Sequence, residues 1–136
     1  MRYMIDFHGV IDHRPNYFKK ITEDLISCGN EIFICTGSKK NIVLVKLNNL
    51  GFQENKNFNE IFSISDILEE TLPAAEIEYD NQNNIWVDDM LWWPMKGMLC
   101  EQYHIDIIID DSEEYFIYVP NNTIKLYYHK NNKNFF

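Results

Sequence analysis

The chain has few glycines and prolines and no long apolar run. Five glycines and four prolines among 136 residues are too few for a collagen-like or low-complexity chain. No stretch approaches the roughly 18 to 20 consecutive apolar residues that a membrane span requires, and the N-terminal segment MRYMIDFHGV leads directly into polar residues. These absences predict a globular protein with no membrane partner.

Cysteine is also scarce. The three cysteines, Cys28, Cys35 and Cys100, are odd in number and form no pair with metal-ligand spacing. Both features disfavour a disulfide framework and a cysteine-ligated metal site. We therefore expect reduced, mostly buried thiols and a cytoplasmic location.

Basic residues are outnumbered by acidic ones, 12 to 21, which gives a net charge of −9. Because Lys and Arg neutralise the phosphates of nucleic acids, we expect no nucleic-acid partner. A small anion is still compatible with this charge, since a metal ion and backbone N–H groups can hold one locally. Hydrophobic residues are plentiful, at 46%, and suffice for the core of one domain.

Short apolar runs alternate with segments of helical periodicity in the first two thirds of the chain. The predicted strands occupy residues 2–7, 31–36, 61–64 and 105–109. Ser38 is the expected N-cap of the helix after the second strand. Such alternation predicts an α/β fold, a three-layer sandwich with a mainly parallel, Rossmann-like sheet.

The remaining segments are less regular. A polar turn at residues 81–84 separates two apolar stretches, so we expect a β-hairpin insertion over residues 76–92. Its tryptophans, Trp86, Trp92 and Trp93, are interpreted as packing residues.

A helix is expected to begin at Pro94, and two further strands at residues 115–119 and 123–129. We expect a single domain over residues 1–130 and a frayed tail over residues 131–136.

Polar residues follow three of the predicted strands. Asp6 ends the first run and Thr36 the second, while Asp110 and Asp111 follow the run at residues 105–109. The carboxyl ends of neighbouring parallel strands face one crevice, so we expect these side chains to converge. Carboxylates, a hydroxyl and a loop glycine would suit a hard cation together with a phosphate.

These segments resemble the motifs of the haloacid dehalogenase superfamily. DFHGVID is similar to its first motif and ICTG to its second; Lys96 lies where the third-motif lysine is expected, and IIIDDSEEY resembles the acidic fourth motif. All four occur in the family's order between residues 2 and 114. The resemblance implies a small, uncapped phosphatase of this superfamily that hydrolyses phosphoric monoesters of small molecules with Mg²⁺.

The resemblance also implies a role for each acidic residue. Asp6 would attack phosphorus and form an aspartyl-phosphate. Mg²⁺ would bind Asp6, the backbone carbonyl of His8 and Asp111, with Asp110 as the alternative to Asp111. Thr36 and the Gly37 N–H would hold phosphate oxygens.

Lys96 would contact the phosphate and neutralise the charge that builds in the transition state. His8 departs from the family pattern, which usually has an aspartate acting as acid and base at this position. Imidazole can donate and accept protons near neutral pH, so His8 either takes over this role or is a spectator. The alternative is therefore a catalytically degenerate member that binds a phosphate ligand or a protein partner without turnover. Homo-oligomerisation stays open, because an uncapped site could be completed by a second copy.

Overall fold

The structure is a computed structural model that describes residues 1–131. Its strands are β1 (Arg2–Asp6), β2 (Glu31–Thr36), β3 (Glu60–Ser63), β4 (Glu78–Tyr79), β5 (Ile85–Trp86), β6 (Ile107–Asp110) and β7 (Ile124–Tyr127). Its α-helices are α1 (Pro15–Ser27), α2 (Lys40–Asn49), α3 (Ile64–Thr71), α4 (Asp89–Trp92) and α5 (Met95–Gln102). Short helical turns span Phe7–Ile11, Ala74–Glu76 and Glu113–Tyr118.

Five of the strands form one parallel sheet in the order β3-β2-β1-β6-β7. The central strand β1 aligns its Ile5 with Ile34 of β2 and with Ile109 of β6. The strand order reverses at β1, since β2 and β3 extend the sheet on one side and β6 and β7 on the other. The predicted Rossmann-like parallel sheet is confirmed, and such a reversal opens a crevice at the carboxyl ends of the strands.

Helices cover both faces of this sheet. Successive side chains of a strand point to opposite faces, so Met4 and Ile5 of β1 belong to different core clusters. Ile5 packs with Phe18 of α1 and Val43 of α2. Met4 belongs to the cluster that contains Leu99 of α5. The three-layer arrangement predicted from the sequence is therefore confirmed.

Helix α2 begins differently from the prediction. Ser38 is not its N-cap; Lys39 occupies that position and makes no side-chain capping bond. The backbone N–H of Lys40 instead donates to Asp66 Oδ2 of α3, at 2.9 Å. A carboxylate at a helix N-terminus is favourable because of the exposed N–H groups. Ser38 therefore does not cap the helix and faces the crevice instead.

The predicted β-hairpin insertion exists in a shorter form. Strands β4 and β5 pair antiparallel, and the carboxylate of Asp80 accepts backbone N–H groups within their turn. The expected continuation of the second strand through residue 92 is wrong. Asp88 caps α4 by accepting the N–H of Met90 at 2.8 Å. The capping aspartate therefore starts a helix where the apolar residues that follow it suggested a strand.

The strand predicted at residues 115–119 is also wrong. Most of this run lies in the 3₁₀ helix Glu113–Tyr118, with Tyr115 buried and Ile117 81% exposed. A short apolar run has no periodicity that separates a buried strand from a buried helical turn. The strand predicted at 123–129 is present as β7, whereas residues 132–136 of the expected frayed tail lie outside the described part of the chain.

The thiols largely follow the prediction. Cys35 and Cys100 are buried, Cys28 is exposed, and all three are unbridged. Burial raises the pKa of both buried thiols to about 12. Neither is a reactive thiolate near neutral pH.

We predict that Gly97→Ala destabilises the protein. Replacing glycine by alanine inside a helix ordinarily stabilises by about 0.5–1 kcal/mol. In α5, however, a Cβ at Gly97 would overlap the backbone carbonyl of Tyr118, so we expect the free energy of unfolding to fall by about 1–3 kcal/mol. Chemical denaturation measures the change.

Met98→Ala is the matched control, because Met98 lies on the same helix and is 59% exposed. It should change the free energy of unfolding by less than about 0.5 kcal/mol. A Gly97→Ala protein as stable as the wild type would contradict the close packing of α5 on the 3₁₀ helix.

Candidate active site

A cavity of about 560 Å³ lies at the carboxyl ends of the central strands. Asp6 and His8 line it from β1 and the turn that follows, Gly37 and Ser38 from the loop after β2, and Asp111 from the loop after β6. This is the place where the strand order reverses, and open parallel sheets commonly bind their ligands there.

Three carboxylates meet beside this cavity. One ligand oxygen each from Asp6, Asp110 and Asp111 lies within 4.8 Å of the others. Asp6 and Asp110 are buried, and Asp111 is partly exposed. The parallel pairing of β1 with β6 explains the arrangement, since Ile5 aligns with Ile109 and the two strands end side by side.

A single buried lysine neutralises part of this charge. Lys96, near the start of α5, is 1% exposed. Its Nζ donates to Asp6 Oδ1 at 3.2 Å and also to Asp110 Oδ2, and it lies 4.1 Å from the centre of the Tyr115 ring. At the exposed edge of the cluster Lys130 Nζ lies 3.7 Å from Asp111 Oδ2, so two ammonium groups face three carboxylates and only Lys96 serves the buried pair.

Burial perturbs the pKa values of the cluster. Burial raises the pKa of Asp6 from 3.8 to about 8; Lys96 opposes the rise and Asp110 adds to it. Burial likewise raises the pKa of Asp110, again against the effect of Lys96. Burial by itself would lower the pKa of Lys96, yet the Asp6 and Asp110 carboxylates raise it well above its ordinary value.

The donor set fits a divalent cation such as Mg²⁺. Carboxylate oxygens are the ligands that hard cations prefer, and a dication would supply the charge that the two lysines lack when all three carboxylates are ionised. Asp111 is better placed than Asp110, because Lys96 and the Ser112 N–H already occupy the two oxygens of Asp110. Asp111 lines the cavity.

The turn after β1 is built to approach Asp111 closely. Gly9 has a φ of +84°, and a Cβ at this position would overlap the Asp111 carboxylate. Only glycine combines this left-handed conformation with such a close approach. The chain therefore passes His8 and Gly9 directly beside the acidic cluster.

Five of the predicted site residues line the cavity, and two lie beneath it. Lining it are Asp6, His8, Gly37, Lys96 and Asp111. The buried pair are Asp110, bound to Lys96, and Thr36, whose Oγ1 accepts the Ser38 N–H at 3.1 Å. Thr36 thus shapes the loop after β2, while the hydroxyl group that this loop presents to the cavity is that of Ser38.

His8 is held between two oxygen atoms. Its Nε2 lies 2.9 Å from Ser38 Oγ, and its Nδ1 lies 3.5 Å from Asp12 Oδ2. The other oxygen of Asp12 accepts the Gly9 N–H at 2.7 Å. The imidazole at the cavity wall is therefore oriented by contacts on both nitrogens.

Among the cavity-wall residues that the sequence did not identify as site residues are Ser38, Trp92 and Tyr115. Ser38 was interpreted as a helix cap, although its position directly after Gly37 at a strand end is a usable signal. The sequence indicated only that Tyr115 and Trp92 are packing residues. In the structure the Trp92 indole N–H donates to the Tyr115 hydroxyl at 3.0 Å. Burial raises the pKa of Tyr115 to about 12, so its hydroxyl stays protonated.

No protein-family model matches this chain, and no curated protein matches it significantly in sequence. Among the helices of residues 1–131, none is both long and apolar enough to cross a membrane. The fold and the site define a parallel α/β protein with an acidic cluster that could hold a metal ion at the carboxyl ends of its strands.

We predict that Lys96→Met destabilises the protein strongly. The substitution would leave Asp6 and Asp110 buried without their counter-charge, which costs about 3–5 kcal/mol for a broken buried pair. Lys20→Met is the control, because the Lys20–Asp24 pair at 3.0 Å is exposed and its loss should leave the unfolding midpoint close to that of the wild type. Similar unfolding midpoints for the two variants in urea would contradict the account.

The raised pKa of Asp6 predicts a pH-dependent stability. Between pH 3.8 and about 8 the folded protein holds a proton on Asp6 that the unfolded chain releases. The contribution of this residue is therefore lost as the pH rises through that window. Mg²⁺ competes with the proton, so it should stabilise the protein more at about pH 8.5 than at about pH 5.5.

Thermal unfolding with EDTA or Mg²⁺ measures both effects. Asp6→Asn is the matched variant, because it lacks this titration and should show a flatter pH profile and a smaller response to Mg²⁺. Equal Mg²⁺ responses at both pH values, or identical profiles for the variant and the wild type, would contradict the assignment.

Proposed function

We propose that the protein is a Mg²⁺-dependent phosphoric monoester hydrolase that acts through an aspartyl-phosphate on Asp6. The observation that carries the proposal is the convergence of Asp6, Asp111 and the buried Lys96 on one cavity. The order of the four motifs that resemble the haloacid dehalogenase superfamily supports the same reaction.

Asp6 supplies the nucleophile. One of its carboxylate oxygens forms a bond to phosphorus while the bond from phosphorus to the leaving oxygen breaks, which divides a difficult displacement into two easier steps. When bound, Mg²⁺ polarises the phosphoryl group and screens the carboxylates from it. Lys96 neutralises negative charge near the attacking oxygen, 3.2 Å from Asp6 Oδ1.

His8 supplies the proton transfers. Protonated at Nε2, it gives a proton to the leaving oxygen; once neutral, it accepts one from the water that attacks the aspartyl-phosphate. Asp12 holds Nδ1 and so directs Nε2 towards Ser38 at the cavity wall. The Gly37 N–H and the Ser38 hydroxyl supply donors for the phosphate oxygens.

The second candidate is a catalytically degenerate protein that binds a phosphate ligand without turnover. The observation that favours it is His8 itself, which replaces the carboxylate expected from the resemblance and already contacts Ser38. Binding in this case would use the same cavity and the same cation.

Phosphate release from a generic aryl phosphate with Mg²⁺ tests the proposal. Asp6→Asn should lower kcat by at least roughly a thousandfold, because a side-chain amide is a much weaker nucleophile than a carboxylate. His8→Ala should lower it by about 10²–10⁴-fold, the range of general acid–base catalysis. Asp24→Asn, an exposed aspartate on α1, is the matched control and should leave kcat unchanged.

Two results would contradict the proposal. An Asp6→Asn protein as active as the wild type would exclude the aspartyl-phosphate. A wild type that releases no phosphate from a broad panel of phosphorylated metabolites, while still binding phosphate in the presence of Mg²⁺, would favour the degenerate protein.

A further inference from the structure

An aromatic groove continues from the cavity onto the β4–β5 hairpin and α4. It encloses about 290 Å³ and shares Asn84, Ile85 and Trp92 with the cavity. Trp86 and Trp93 line the groove but not the cavity. A ligand that fills both spaces therefore extends from Asp6 to a surface made of tryptophan side chains.

Trp92 forms the wall between the two spaces. A Cβ built on Gly37 would lie 2.9 Å from Trp92 Cζ2, so the indole lies directly against the loop that follows β2. The indole N–H donates to the hydroxyl of Tyr115, whose ring lies against Lys96. The orientation of this aromatic wall is thus fixed by a residue in contact with the proposed catalytic lysine.

Trp86 is the exposed part of the groove. It is 65% exposed, so the interpretation of all three tryptophans as packing residues is wrong for this one, whereas Trp92 and Trp93 do pack on the core. The Asp80 carboxylate accepts the Gln82 N–H at 2.8 Å and the Asn84 N–H at 2.9 Å, and these bonds fix the turn that precedes Trp86. The hairpin turn is therefore held in place while most of the Trp86 side chain stays accessible.

We propose that the substrate is a nucleoside monophosphate whose base stacks on Trp86 while its phosphate lies beside Asp6. This inference rests on the proposed function. The exposed face of an indole is a surface on which planar rings stack. Because Trp86 lines only the groove, the ring must be joined to phosphorus through a spacer, as the ribose joins a base to its phosphate.

The charges favour one phosphate group and a single nucleotide. Besides Lys96, the lysines that line the cavity are Lys39 and Lys130. Each already faces a carboxylate, Glu69 at 3.4 Å and Asp111 at 3.7 Å respectively. Little cationic charge is left for further phosphates, and the net charge of −9 opposes a polynucleotide.

The test compares kcat/KM for adenosine monophosphate and for ribose 5-phosphate, which has the same phosphate and sugar without the base. The wild type should prefer the nucleotide by about tenfold or more. Trp86→Ala should reduce this preference to near unity, and Trp86→Phe should keep most of it. Met90→Ala is the matched control, because Met90 is 68% exposed on α4 and lines neither space.

Three results would overturn the inference. One is equal kcat/KM for the nucleotide and ribose 5-phosphate in the wild type. Another is a preference for phenyl phosphate, whose ring has no spacer, that Trp86→Ala leaves intact. The third is a dimer in gel filtration that Trp86→Ala dissociates while the nucleotide preference is unchanged, since the groove would then serve a second copy of the chain.

A binding measurement separates this inference from the proposed function. If the protein releases phosphate from none of the compounds, the hydrolase proposal fails. Binding of a base in the groove is then tested by titrating the wild type with adenosine monophosphate in the presence of Mg²⁺. Quenching of tryptophan fluorescence that is weaker with ribose 5-phosphate and is reduced in Trp86→Ala would support stacking. Equal responses to the two ligands, or none, would overturn it.

Discussion

The site depends on one buried ion cluster, in which Lys96 holds Asp6 and Asp110 together at the end of the central strands. The parallel register of β1 and β6 brings these aspartates side by side, and α5 supplies the lysine from the helical layer. Because each charge is buried, none can lose its partner without a large cost in stability. The sheet, the helix packing and the chemistry of the site are therefore linked through three side chains.

The same cluster explains why the site is electrostatically incomplete. Asp111 adds a third carboxylate, and the close approach at Gly9 keeps it beside the other two. The protein tolerates this repulsion at the carboxyl ends of strands whose buried side chains are mostly apolar. A dication and a phosphate group together would satisfy the charges on both sides of the cavity, with Lys96 already in position for the phosphate.

Much of the fold and of the site could be predicted because residues that directly follow parallel strands lie together at one edge of the sheet. Asp6 and Asp111 were predicted from the rule that parallel strands end at one crevice, and that rule concerns the backbone. Thr36 was expected at the cavity, whereas the structure presents Ser38 there, because Thr36 Oγ1 accepts the Ser38 N–H and such a side-chain bond does not follow from the position of a strand end. The exposure of Trp86 could not be predicted either, because the sequence alone does not show whether the fold buries an apolar residue.

The most direct test of the central claim is a crystal structure with Mn²⁺, located by its anomalous scattering. The account predicts one ion bound by oxygens of Asp6 and Asp111 at about 2.1–2.2 Å, on the cavity side of Lys96. A fully occupied ion on another face of the molecule with none at this cluster would contradict the account. An Asp6 side chain turned away from Asp111 and Lys96 would contradict it as well.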